Sequence, residues 1–147
     1  MALPTTLTGV AFTPLSSYGG PFISSTGNVY WVGRNSATTT KLAVMKATDP
    51  TSSFADQDTA NSPTTGAAIQ SVSVCQVADV LHIATYSVDS TNELRYHTFN
   101  MATDAYVIIN EAVADTSVEN VAQRICSINV RSDGQPVIVY GGTLDVI

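Results

Sequence analysis

The stretch KATDPTSSF (residues 46–54) decides how the rest of the chain reads. It closes a β-rich run, KLAVMKA, and ends on an aromatic, Phe54. Asp and Ser side chains bond to nearby backbone and Pro presets φ, so TDPTSS predicts a tight turn between two strands. A second Thr-Asp pair, Thr103-Asp104, closes ELRYHTFNMATD and is followed by Tyr106. If the two turns are equivalent, the chain is a repeat. If they are not, it is a run of ordinary hairpins.

The flanking sequence repeats along with the turn. No long helical period is present; apolar residues alternate or come in short runs broken by Gly, Asn, Asp, Ser and Thr, which is the strand-and-turn pattern. Strands are expected at PFISS, VYWVG and KLAVMKA, with a short fourth starting at Phe54. Thr26-Gly27-Asn28 reads as a hairpin turn, since Gly tolerates positive φ. The pattern restarts with AIQSVSVCQV, a turn at Ala78-Asp79, VLHIATYS, the loop VDSTN, ELRYHTFNM, the turn ATD and AYVIINEAV. A third round begins with RICSINV, RSDGQ and PVIVYGG. Leu42 and Leu94 are 52 residues apart, Tyr30 and Leu81 are 51 apart, and Leu81 and Val137 are 56 apart.

A period in the low fifties with four short strands per unit predicts blade-like units at about 21–60 and 68–113, and an incomplete one at 124–147. Such a meander cannot bury both faces alone and needs a neighbour on each side. The expected fold class is therefore all-β, with repeated four-stranded antiparallel blades of a partial β-propeller. The alternative is a β-sandwich or jelly roll, in which short alternating strands also recur. Residues 1–20, rich in Pro, Thr, Ser and Gly, read as an extended N-terminal arm, and residues 21–147 as the β-repeat domain. Met1 reads as a true start, and the stop at TLDVI, midway through the third unit, as a truncation.

Composition narrows the function classes. Of 147 residues, 44% are hydrophobic and only 12% are charged, against roughly 25% charged in a typical soluble domain. A Thr, Ser, Asn, Gln and Ala surface follows, of the kind common in proteins packed into assemblies. The net charge is −6, and the six Lys and Arg are scattered. Nucleic-acid binding needs clustered cations, so no nucleic acid is expected as a partner. No run approaches the about 20 apolar residues of a membrane span, and MALPTTLTGVAF lacks a secretory signal, so neither membrane insertion nor signal-directed export is expected. Cys75 and Cys126 have no metal-ligand spacing and read as buried free thiols.

Residues 47–54 keep an Asp (Asp49), hydroxyls and a terminal aromatic. In this they resemble, in degenerate form, the Asp-box turn of BNR or sialidase-like β-propeller blades. That turn reads Ser-x-Asp-x-Gly-x-Thr-Trp and lies between the third and fourth strands of a blade. On that resemblance, Thr48, Asp49, Ser53 and Phe54 make one structural turn, and Asp104 with Tyr106 a second. The first Ser and the Gly are missing. The resemblance spans about residues 21–142. It implies an Asp that holds the turn and an aromatic that fills the space between sheets, away from any catalytic face. It speaks for fold rather than activity.

The sialidase triad of arginines does not map onto Arg34, Arg95, Arg124 and Arg131, which take no equivalent places in successive units. The acids Asp49, Asp56, Asp58, Asp89, Asp104, Asp115 and Asp133 fall almost entirely in turns, where Asp is expected on structural grounds. No nucleophile-elbow, zincin, phosphate-loop or dinucleotide motif is present. Pairing Ser87 with Glu93 sets His82 opposite Thr98, so His82 and His97 point to opposite faces; a one-residue slip would bring them to one face. Even so a zinc site would lack a third ligand. The loop Asp89–Glu93 carries oxygen ligands of the type Ca²⁺ takes, but reads as a solvated turn. Tyr30, Trp31, Tyr86, Tyr96, Phe99 and Tyr140 offer rings for sugar stacking, though most are expected to fill the core.

The expectation is thus a non-enzymatic structural component of a virus particle, such as a bacteriophage fibre or tail protein. It would be made in the host cytoplasm, reside in the virion, need no cofactor or metal, and assemble with other virion proteins or copies of itself through its N-terminal arm and β-repeats. A carbohydrate- or receptor-binding propeller module, with cell-surface carbohydrate as partner, is the first alternative. A fragment of a sialidase-like glycoside hydrolase is the second.

Overall fold

The computed structural model describes residues 18–35, 37–49, 52–87, 93–113 and 126–140. Among these residues ten strands follow in chain order: β1 Tyr18–Ile23, β2 Val29–Arg34, β3 Leu42–Ala47, β4 Ala55–Asp56, β5 Ile69–Val77, β6 Val80–Ser87, β7 Glu93–Asn100, β8 Ala105–Ala112, β9 Cys126–Val130 and β10 Pro136–Tyr140. Among the described residues there is no helix. The chain is all-β. β1-β2-β3-β4 form one four-stranded sheet, β5-β6-β7-β8 a second, and β9-β10 a hairpin. All the pairings are antiparallel, and neither four-stranded sheet closes on itself.

The expected arm at 1–20 overlaps this structure only at Tyr18–Gly20, which already belong to β1; residues 1–17 lie outside the described residues. So do Pro50, Thr51, Arg124, Asp115 and most of the loop at 89–93.

The ladders give the repeat its register. Tyr30 pairs with Lys46 in the first sheet and His82 with Thr98 in the second, so equivalent positions are 52 residues apart. Tyr30 therefore corresponds to His82, not to Leu81 as apolar matching alone suggested. Leu81 lies one residue earlier and points to the opposite face, because side chains alternate along a strand. The third unit is tied to the first by its turn. Gly27 N–H bonds to the Ser24 carbonyl and Ser24 N–H to Asn28; Gly134 N–H bonds to the Arg131 carbonyl and Arg131 N–H to Gln135. Both glycines have positive φ, 84° and 85°. The positions differ by 107 residues, about two periods.

Each sheet has a front, bearing Tyr30, Val32, Leu42 and Val44 in the first and His82, Ala84, Tyr86, Leu94 and Tyr96 in the second. The opposite side is its back. The front of the first sheet packs on the back of the second: Tyr30, Val32, Leu42 and Val44 share one buried cluster with Val72, Leu81, Ile83 and Phe99. The front of the second sheet packs on the hairpin: Ala84, Tyr86, Leu94 and Tyr96 meet Cys126, Ile128, Ile138 and Tyr140. The units thus stack front to back. Gly19 lets β1 approach the second sheet closely, since a Cβ there would lie 2.9 Å from Val74 Cγ2.

Candidate functional site

The second Thr-Asp turn sits at the seam between the two sheets. Asp104 closes the β7–β8 turn in the left-handed region, at φ 54°, which Asp tolerates better than most residues. Its carboxylate reaches across to the first sheet. Tyr30 OH donates to Oδ1 at 2.7 Å, and Lys46 Nζ donates to Oδ2 at 2.5 Å. Tyr30 and Lys46 are cross-strand partners on the front face, so one carboxylate grips two strands at once. The Tyr30 hydroxyl also lies 2.9 Å from the Met101 carbonyl, and the Lys46 ammonium stands 5.8 Å from the Tyr30 ring centre. Burial, then Asp104, pushes the Tyr30 phenol well above its ordinary range.

Tyr106 enters the same seam. Its ring packs edge-on to Phe99 at 5.1 Å within the inter-sheet core, and its amide donates to Asp58 Oδ2 at 3.0 Å. Phe54 occupies the corresponding place 52 residues earlier. It packs on the back of its own sheet against Val29 and Ala47, with Trp31 and Met45 beside it. In the first turn, Ser52 Oγ donates to Asp49 Oδ2 at 2.5 Å and contacts Thr48 Oγ1 at 3.2 Å. Ser53, the hydroxyl singled out from the sequence, is exposed; the turn bond comes from Ser52. The structure thus gathers Asp104 and Tyr106 at the inter-sheet seam and leaves Thr48, Asp49 and Ser53 in a surface turn.

The histidines lie on opposite faces, with His82 opposite Thr98. His97 is fully buried between the sheets. Asn110 N–H donates to its Nδ1 at 3.0 Å, which leaves the proton on Nε2 to donate to Thr85 Oγ1 at 2.9 Å. Burial, then Arg95, lowers its pKa to about 3, so it is neutral and structural. His82 Nδ1 lies 2.7 Å from Tyr96 OH, on the front of the second sheet; burial lowers this imidazole too.

Among the described residues the arginines Arg34, Arg95 and Arg131 do not converge. Arg34 donates to the Ile69 carbonyl at 3.0 Å, Arg95 lies 3.4 Å from the Asn110 carbonyl, and Arg131 pairs with Asp133 in its own turn. One cleft of about 260 Å³ lies between the β1–β2 and β5–β6 turns and is lined by Ile23, Ser24, Ser25, Gln76, Ala78 and Asp79. There Ser25 donates its amide, at 2.6 Å, and its hydroxyl to Asp79, which holds that carboxyl below its usual range. A second cleft of about 210 Å³ is lined by Tyr96, Glu111, Ala112, Val113, Pro136 and Ile138. Among the described residues each cleft is lined by a single carboxylate, Asp79 in the first and Glu111 in the second. Among the described residues no three His, Cys, Asp or Glu come together in metal-binding range. Cys75 and Cys126 are free thiols, and burial raises the pKa of Cys126.

Sequence reasoning missed Tyr30, Lys46 and His97 as cross-linking residues. Their partners are 74, 58 and 12–13 residues away, and no local motif marks them. Chemically, the charge-assisted bonds of Asp104 hold the first sheet to the second, and the buried bonds of His97 tie β6, β7 and β8 within the second sheet. Comparison of the chain with protein-family models, curated proteins and solved structures returned no match.

Proposed function

We propose that the chain is a non-enzymatic structural component of a larger particle, of the kind from which a bacteriophage fibre or tail is assembled. The observation that carries this is the front-to-back order of the units. Such stacking is how propeller blades and other repeat arrays are organised, and every added unit needs a neighbour on each side. The blade reading of the sheets and the structural role of the Asp104 turn belong to this proposal. The weakly charged Thr- and Ser-rich sequence supports it further. The partners are other particle proteins or further copies of the chain.

The test is to raise antibodies against the purified chain and label particles isolated from lysates of cells that express it. Gold particles at one fixed position on the virion, with the chain recovered from those particles by mass spectrometry, are expected. A chain found only free in the lysate overturns the reading.

A further inference from the structure

The fronts and backs of the units are used twice within the chain and exposed once at each end. On the front of the third unit, Val137 and Val139 are 44% and 67% exposed. By the turn equivalence they stand where Tyr30 and Val32 stand in the first unit, both fully buried beneath the second sheet. The second unit buries the corresponding Ala84 completely under the hairpin. At the other end, the back of β1 presents Tyr18 and Ile23, 57% and 59% exposed, with Tyr18 lying against Trp31 at 5.8 Å.

The internal contacts also say which strands should meet. β5 packs on β1 and β2 of the unit before it, and β9 packs on β5 and β6. Each first strand thus lies over the first two strands of the preceding unit. The next such strand would lie over β9 and β10, on Val137 and Val139. It would come from a unit whose back is exposed along its first strand, which is what β1 offers.

We propose that two copies of this chain associate head to tail, with the front of β9–β10 in one copy receiving the back of β1–β2 in the next. The interface continues the one already formed twice inside each chain. It buries valines against Ile23 and Tyr18, and apolar burial drives it. Because the two surfaces differ, the contact is heterologous: successive copies close into a ring or extend as a filament. This deepens the assembly reading above by naming the partner and the surfaces. It is tested on purified chain, so it stands or falls separately from the presence of the chain in a particle.

The experiment is sedimentation velocity and light scattering on the 147-residue chain over a concentration series, alongside Val139→Asp and Ile23→Asp. Wild type should give species of two or more chains, and each variant alone should run as a monomer of 15.5 kDa. An equimolar mixture of the two variants should restore a two-chain species and nothing larger. Each variant keeps one intact surface, and the two intact surfaces match. A wild type that stays monomeric throughout overturns the proposal. So does a mixture that stays monomeric while wild type associates, or an Ile23→Asp variant that associates like wild type. Circular dichroism confirms that both variants keep their strands; if either does not, Val137→Lys and Tyr18→Lys repeat the comparison at neighbouring exposed positions.

Discussion

The Tyr30 hydroxyl lies 2.7 Å from Asp104 Oδ1, joining the second strand of one sheet to the last turn of the next across 74 residues of sequence. Lys46 shares that carboxylate, but the two partners differ in burial. Tyr30 is fully buried, whereas the Lys46 and Asp104 side chains are 21% and 32% exposed. A hydrogen bond to a charged group is worth about 1.5–3 kcal/mol, and an ion pair that still meets solvent, as this one does in part, about 0–1 kcal/mol.

Tyr30→Phe should therefore cost about 1.5–3 kcal/mol, and Lys46→Met less than about 1 kcal/mol with a dependence on salt. Denaturant unfolding at low and high ionic strength measures both. The same contact gives an alkaline signature. Unfolded Tyr30 loses its proton near pH 10 while the folded phenol keeps it, so the folded state binds more protons and stability falls as pH rises past about 10. Tyr30→Phe should flatten part of that fall.

His97 sets an acid limit. Its folded pKa is about 3, well below the unfolded value of about 6.5. Between the two, the unfolded state takes up a proton that the folded state refuses. Its contribution is complete above about pH 6.5 and declines as pH drops toward 3, by up to about 1.4 kcal/mol per pH unit. Asp56, whose carboxyl burial pushes up, works in the opposite sense as it protonates. The difference between wild type and His97→Gln isolates the histidine. Unfolding midpoints from pH 8 to 4 should decline more steeply in wild type.

Gly27 and Gly134 test the equivalence of the first and third turns. Both have positive φ, and a Cβ at either would meet nothing within 4 Å, so only backbone strain opposes a side chain. Gly27→Ala and Gly134→Ala should each cost about 1–2 kcal/mol, and the Asn variants less. Thermal unfolding of the four variants reads this. Unequal costs would show that the turns carry different loads.

Gly19 tests the approach of the sheets. A Cβ there would press on Val74 at 2.9 Å. Gly19→Ala should destabilise by about 1–3 kcal/mol, the usual range for overpacking, and Val74→Ala should recover part of it. The coupling in a double-mutant cycle is the readout; strict additivity would mean that the sheets part at this point.

Much of the architecture is legible in the sequence because strand and turn signals are local. Alternating runs marked the strands, although β1 begins three residues inside the expected arm, and Gly27 and Gly134 marked two turns; of the two registers left open for His82 and His97, the ladder has the one that pairs Ser87 with Glu93. The candidate site is less legible. Asp104 is recognisable as a turn residue, but its partners Tyr30 and Lys46 are not, since nothing near residue 104 records which strand of another sheet will lie over it. Ser53 and Ser52 are indistinguishable by type; backbone geometry alone brings Ser52 to Asp49.

The sequence by itself determined the secondary structure, the period and the all-β class, because alternation and turn chemistry act over a few residues. Only the tertiary structure decided that Tyr30 corresponds to His82 rather than Leu81, and that the front of each unit covers the back of the next. A shift of one residue exchanges the two faces of a strand while leaving its apolar content almost unchanged. Which face is buried, and against what, is settled by contacts between different sheets, such as Leu42 with Ile69 and Tyr86 with Cys126, and those contacts exist only in the folded chain.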